Sequence, residues 1–288
     1  MVNIRAARAG DLPAIQEFTA DTFEWGDYVP DEFPTWLTEP DVLVMVAANS
    51  EDRAIGMARV ALLSPREAWL SAARVHPEFR RQGIGSMINN HGVDWARAAG
   101  AAVVRLATEV INTPAMRQVE RIGYRAVAQF ALARRRYQQA GPGTNGGKRP
   151  PADERLDLAP SSEAEPAYLV WASGDYPGAS HGLYASDGWA FRQLQATDLA
   201  RSARRRQLWS SPSAWAVIEP DEDRLWLPLF LTTPEDARRG ARALTDLGRE
   251  HNSGTVTAMI PRIDWLEEAL TAEHFEIQHP NYVYEKAL

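Results

Sequence analysis

Residues 69–90, WLSAARVHPEFRRQGIGSMINN, constrain this chain more than any other stretch. Residues 69–75 are mostly apolar and end at His76-Pro77. Proline lacks an amide hydrogen and biases the residue before it away from helix, so a short buried strand is expected to stop there. The turn Arg80-Arg81-Gln82-Gly83-Ile84-Gly85 comes next, and from Ser86 through Met87, Ile88, Val93 and Trp95 the apolar residues take helical spacing. Such a succession can hold an anion. Gly83 and Gly85 permit positive φ and close approach of a ligand. Successive amides and the positive end of the helix converge on one point, and Arg80 and Arg81 add charge suited to phosphate. Two glycines in a loop usually make only a turn; the specific feature is the whole order of strand, His-Pro stop, Arg-x-x-Gly-x-Gly and helix.

That order resembles the acyl-CoA-binding motif of the GNAT superfamily of N-acetyltransferases, in which Gln or Arg, two residues, Gly, one residue, and Gly or Ala follow a strand. The resemblance covers residues 2–137 well and the remainder faintly. It implies an α/β (α+β) fold, a mixed and mostly antiparallel sheet flanked by helices. It also implies that residues 102–108 form a strand parallel to 69–75 and splaying away from it, with the pantetheine arm entering the gap. Acetyl-CoA is then the acyl donor, with Arg74, Val75, Arg80, Arg81, Gln82, Gly83, Ile84, Gly85, Ser86, Asn112 and Met116 as its binding residues. The Val75 amide is the family's usual donor to the tetrahedral oxyanion. Asn112, Pro114, Ala115 and Met116 open a helix ending in Gly123-Tyr124, similar to the family's Asn-x-x-Ala and Gly-Phe. One departure stands out: the family's Tyr that often protonates the departing thiolate would fall at position 119, where this chain has Val119.

The base is open. The family often places a Glu on the strand before the turn, but this chain reads Trp69-Leu70-Ser71-Ala72-Ala73 there. Glu24, Glu32, Glu67 and Glu109 are alternatives, against the bland fate of surface pairing. His76 is a further candidate but reads as a strand-end residue. An aromatic stretch from Phe18 to Leu37 is threaded with Glu24, Asp27, Asp31 and Glu32. It either packs two helices together or frames an acceptor cleft, in which Trp25, Tyr28, Glu32 and Trp36 would meet an amine.

Along the chain, residues 2–6 read as a strand and Asp11 as a helix N-cap with Pro13 in the first turn. Residues 42–48 and 54–63 read as a hairpin around Asn49-Ser50-Glu51-Asp52, with Gly56 marking a bulge or a close backbone approach. A helix closed by Gly100 and a strand over 127–137 complete the first half. Residues 138–165 are rich in Gly, Pro, Ser and charge, and read as a linker. We therefore expect a first domain over 1–138, a bridging segment over 139–187 and a second domain over 188–288. Arg192 and Asp198 repeat the six-residue spacing of Arg5 and Asp11, which suggests an internal duplication. The second half reads as a helix to about Leu208, strands at 214–218 and 225–231, a helix at 234–250, a strand at 255–260, a helix at 264–272 and a final strand near 282–285. Its TPEDARRGARA run has no paired glycines, so it reads as a degenerate copy.

Composition narrows the rest. A net charge of −7 argues against bulk nucleic-acid binding, and the absence of Cys excludes disulfides, thiolate catalysis and Cys-ligated zinc. Six scattered His suggest no metal site. Neither a signal peptide nor a run near the ~18 apolar residues of a membrane span is evident, so a cytoplasmic location is expected. The resemblance implies transfer of an acetyl group to a small-molecule amine or amino acid, with a homodimer as one assembly to expect. The competing reading is a non-catalytic acyl-CoA-binding or scaffolding protein.

Overall fold

The computed structural model describes residues 2–22, 26–137, 154–221 and 223–288. The chain forms two compact units, one of Met1–Thr108, Asn112–Ala126 and Tyr284–Leu288, the other of Glu109–Ile111 and Val127–Val283.

In the first unit, β1 (Asn3–Ala6) precedes α1 (Leu12–Thr19) and α2 (Val29–Trp36). An antiparallel meander comes next: β2 (Val42–Ala48), β3 (Ala54–Ser64) and β4 (Glu67–Val75), with β1 paired to β2. Then come α3 (Ile84–Ala98), β5 (Val103–Glu109) and α4 (Thr113–Arg121). The β2–β3 turn is fixed by Asn49, whose Oδ1 accepts the amides of Glu51 and Arg53, both at 3.0 Å. Ile15, Phe18, Val29, Phe33 and Trp36 bury the inner faces of α1 and α2 against Val44, Val46 and Met57. Ile84, Ile88 and Val93 do the same for α3. Gly56 is needed for a close approach: a Cβ there would lie 3.1 Å from both the Arg74 carbonyl oxygen and Ile88 Cδ1.

In the second unit, β6 (Arg125–Arg136) and β7 (Asp157–Leu158) precede α5 (Ala164–Ser173) and α6 (Tyr176–Ser180). The hairpin β8 (Leu183–Asp187) and β9 (Ala190–Gln193) leads to α7 (Ala196–Arg204), β10 (Leu208–Ser211), β11 (Ala214–Asp221) and β12 (Arg224–Leu231). It continues with α8 (Ala237–Glu250), β13 (Thr255–Pro261), α9 (Asp264–Ala272) and β14 (Glu276–Ile277). The strands run in the order β6-β13-β12-β11-β10-β7, with β14 on β6. The helix expected to reach Leu208 stops at Arg204, because Arg206 turns at φ 58° and Leu208 begins a strand. The segment 166–188, whose sequence carries no clear pattern, supplies α5, α6 and the start of the hairpin.

The last strand, β15 (Asn281–Ala287), is a neighbour of β5. Its Tyr284–Ala287 part belongs to the first unit, whose order is β1-β2-β3-β4-β5-β15. The Leu288 amide donates to the Ala102 carbonyl at 2.9 Å. Arg105, buried in β5, fastens both neighbours: its guanidinium binds Glu285 of β15 at 2.8 Å and Glu67 of β4. Conversely β6, expected in the first half, pairs with β13 in the second unit, Phe130 opposite Pro261.

The repeated Arg–Asp spacing has a repeated geometry. Arg5 makes a two-pronged ion pair with Asp11 at 2.8 and 2.8 Å, and Arg192 does so with Asp198 at 2.9 and 2.6 Å. Both Asp side chains also accept the amide three residues back, from Arg8 and Gln195, each at 2.9 Å. Asp11 stands at the N-cap of α1 as its sequence position suggests, but its side chain makes no cap bond there; its carboxylate reaches back as the third-residue member of a capping box in the turn before. Among the described residues no helix is long and apolar enough to cross a membrane.

Candidate functional site

The site begins where two parallel strands part. β4 and β5 are in register at Glu67–Val103, Ala68–Val104 and Trp69–Arg105, and β4 then runs on to Val75 without β5. The bend has a local cause. The β3–β4 register slips between Arg59–Ser71 and Met57–Arg74, and Ala72 sits at φ 55°, so β4 carries a bulge. Beyond the bulge the His76 amide donates to Ile55 O at 2.9 Å. Backbone groups of neighbouring residues in an antiparallel strand alternate in direction. The N–H and C=O of Val75 therefore face the other edge, the one β5 has left. Arg80 Nε donates to that Val75 carbonyl at 3.2 Å.

The turn comes directly after. His76 starts a single 3₁₀ turn, Pro77–Phe79, by accepting the Glu78 amide on Nδ1 at 3.2 Å. Its ring contacts Phe18 and Phe79, with centroids at 6.1 and 5.4 Å. Arg81 at φ 62° and Gly83 at φ 81° swing the chain into α3. Nothing lies within 4 Å of a Cβ built on Gly83, so conformation rather than space calls for glycine there. The Ile84 and Gly85 amides at the start of α3 have no intrahelical acceptor, whereas those of Ser86 and Met87 donate to Gly83 O at 3.0 and 3.1 Å. On the far side, a Cβ on Gly85 would meet Gln118 Nε2 of α4 at 2.6 Å, so α4 closes against the turn.

Several residues singled out from the sequence fall elsewhere. Arg74 points to the α1–α2 side, where it pairs with Asp27 at 2.7 Å and lies over the Tyr28 ring at 5.8 Å; its guanidinium is committed there and not to the turn. Glu67 lies at the paired end of β4, bound by Arg105 and by the Ser64 hydroxyl at 3.1 Å, and so is remote from Val75 at the strand's other end. Glu109 is exposed at the end of β5. Glu24 and Trp25 lie outside the described residues. Trp36 is only 8% exposed, with Arg59 over its ring, and packs in the core beneath α1 and α2. Glu32 and Tyr28 are exposed, Tyr28 at 42%. Ile84 is buried and can offer only its backbone; Ser86 and Met116 are half-buried. Asn112 caps α4 by accepting the Ala115 amide at 3.3 Å. Val119 is buried, and the nearby Tyr124 hydroxyl donates to Asn89 at 3.2 Å, with burial pushing its pKa up to about 12.

His76 Nδ1 is already engaged by the Glu78 amide, and Asp27 is a poor base. Burial opposes ionisation of Asp27, yet hydrogen bonds from Arg74 and the Val29 amide outweigh it and hold the carboxyl below its ordinary value. The Asp27–Arg74 pair is not visible in the sequence. Its only signal is an acidic residue in an aromatic stretch, and its partner is 47 residues away. Beside the turn, Phe18, Asp21, His76 and Arg80 line a cavity of about 290 Å³.

Comparison with known proteins agrees with this geometry. Residues 12–124 match the model of the acetyltransferase (GNAT) family. None of the curated proteins matches the chain. A solved GCN5-related N-acetyltransferase from Sphaerobacter thermophilus is similar over 99% of this chain and 95% of its own, at 14% identity and a TM-score of 0.66. Another, from Kribbella flavida, is similar over 100% of this chain and 71% of its own, at 14% identity and a TM-score of 0.54. At such identities the likeness is one of fold, and the mixed α/β fold is that of these acetyltransferases.

Proposed function

We propose that the chain transfers an acetyl group from acetyl-CoA to the amine of a small molecule or amino acid, using the cleft between β4 and β5. The observation that carries this is the glycine turn at Arg80–Gly85, set at the start of α3 beside the Val75 amide on a strand edge vacated by its neighbour. In this reading the amides of Gly83, Ile84 and Gly85 hold the pyrophosphate, and Arg81 adds charge from the surface. The pantetheine arm pairs with the open edge of β4, and the Val75 amide stabilises the oxyanion of the tetrahedral intermediate. Holding thioester and amine together supplies much of the remaining rate. The acceptor must lose a proton before attack, because a typical amine is protonated near neutral pH. We assign that role to Glu24 or Glu32 or to a water they hold. With Val119 at the family's Tyr position, the thiolate leaves without that donor.

A second reading, a non-catalytic acyl-CoA binder, is favoured by one observation: Val119 stands at the family's Tyr position, and the candidate base Glu67 is held by Arg105. One experiment separates the readings. The intact protein is given acetyl-CoA and a panel of amines, with free thiol as readout, alongside Gly83→Glu. Thiol release with at least one amine, lost in Gly83→Glu, supports the transferase. Acetyl-CoA binding by calorimetry without release for any amine supports the binder, and no binding at all defeats both.

A further inference from the structure

The second unit repeats the strand parting. β12 and β13 are parallel and in register from Arg224–Thr255 to Leu227–Ala258, after which β12 continues to Leu231. The residues that leave the two long strands align with each other. Val75-His76-Pro77-Glu78 leaves β4, and Thr232-Thr233-Pro234-Glu235 leaves β12. The two turns share their hydrogen bonds: Phe79 N donates to His76 O at 2.9 Å, and Asp236 N donates to Thr233 O at 3.1 Å. In both, the residue before the proline also accepts an amide on its side chain, from Glu78 on His76 and from Asp236 on Thr233 Oγ1. Thr232 thus stands where Val75 stands. The helices diverge from there. α3 begins seven residues after Pro77, at Ile84, whereas α8 begins three after Pro234, at Ala237. The glycine turn is missing.

The Thr232 backbone is not left facing a gap. Its N–H donates to Tyr176 Oη at 3.0 Å, and the same hydroxyl donates to Thr232 O at 3.2 Å. Tyr176 is 2% exposed, and its ring meets Trp265 edge-on at 6.0 Å. Trp265 Nε1 in turn donates to Asp175 at 2.8 Å, pinning α6 from the α9 side. Burial raises the Tyr176 pKa well above its ordinary value, so the hydroxyl keeps the proton it donates.

We infer that the second unit holds a strand-parting cleft already occupied by its own chain, with the Tyr176 hydroxyl on Thr232 where an acyl oxygen would lie on Val75. This rests on the reading of the first cleft as an acyl-CoA site. It has two consequences: the chain takes one CoA rather than two, and removal of the phenol leaves a cavity of phenol shape and hydrogen bonding.

The test uses the full chain. Tyr176→Gly is expected to lower the thermal midpoint by several degrees. Added p-cresol should raise that midpoint in Tyr176→Gly but not in wild type, and toluene, which lacks the hydroxyl, should restore less. An equal response of wild type, or no preference for p-cresol, overturns the inference. Should Tyr176→Gly fail to fold, Tyr176→Phe, which keeps the ring, should fold with a lowered midpoint; an unchanged midpoint overturns the inference. Titration with CoA should give one site per chain in wild type and none in Gly83→Glu, and a full site surviving in Gly83→Glu overturns it. Absence of CoA binding in wild type defeats the reading of the first cleft, while the p-cresol result still decides whether Tyr176 is an occupant.

Discussion

The two partings of parallel strands, β4 from β5 and β12 from β13, begin alike and are finished differently. Each long strand ends in a short run with proline, and the helix after its parallel partner, α4 or α9, has a C-terminal cap that turns back in the same way. Tyr124 N donates to Val119 O and Phe275 N to Leu270 O, both at 3.0 Å, across residues in the left-handed region, Gly123 at φ 93° and His274 at φ 62°. Only the first keeps the extra residues that make a left-handed, glycine-dependent turn before its helix. In the second, α8 starts early and Gly240 brings it against Ala214 and Thr232, where a Cβ would meet both at 3.1 Å. Separation of strands is therefore a property of the sheet. On the proposed reading, a few residues after the gap decide whether it receives a ligand or a side chain.

Substitutions and a pH series would break or sharpen that contrast. The largest effect is expected at the root of the first parting. Arg105→Met leaves Glu67 and Glu285 as buried charges without their shared partner, at a cost of about 3–5 kcal/mol in denaturant unfolding. A loss below ~1 kcal/mol would show that the ion pairs do not hold β4 and β15 to β5. The two helix-start glycines should fail in opposite ways. Gly240→Ala overpacks the α8 contact and should cost about 1–3 kcal/mol of stability with CoA binding unchanged. Gly83→Ala has room but the wrong conformation, strained by roughly 1–2 kcal/mol, and should weaken CoA binding about tenfold by calorimetry. Equal effects on binding would merge the two clefts in kind.

Asp11→Ala and Asp198→Ala should each cost about 1–2 kcal/mol, because each removes the same cap and the same two-pronged pair. Unequal losses in thermal unfolding would mean that the clasp is repeated in shape but not in energy. The smallest effect is in pH dependence. The folded carboxyl of Asp27 titrates below its ordinary value of 3.8, so its contribution is fully present above that value and is lost as pH falls through the folded value. The stability difference between wild type and Asp27→Asn should therefore be constant near neutrality and shrink below about pH 4. A difference that grows on acidification would contradict the direction of the shift.

How much of the molecule is legible in its sequence depends on how far each contact reaches along the chain. The strands of the meander, the His-Pro stop and the glycine turn are set by neighbours in sequence, and the Arg–Asp clasp by a spacing of six. Those features can be read. The tie from Arg105 to Glu285 spans 180 residues, and that from Tyr176 to Thr232 spans 56, so no periodicity announces them. The aromatic stretch misleads for a related reason. Burial of Phe33 and Trp36 depends on Val44 and Met57 beneath them, and hydrophobicity alone does not tell a packed ring from a lining one.

The placement of β15 bears on the order in which the chain acquires its form. Domains generally fold as they emerge during synthesis, the N-terminal one first. The first unit cannot do so completely, because Tyr284–Leu288 come after every residue of the second unit. Until the ribosome has made that strand, Arg105 lacks one carboxylate and β5 one neighbour. The nascent first half is thus an incomplete sheet with an open edge.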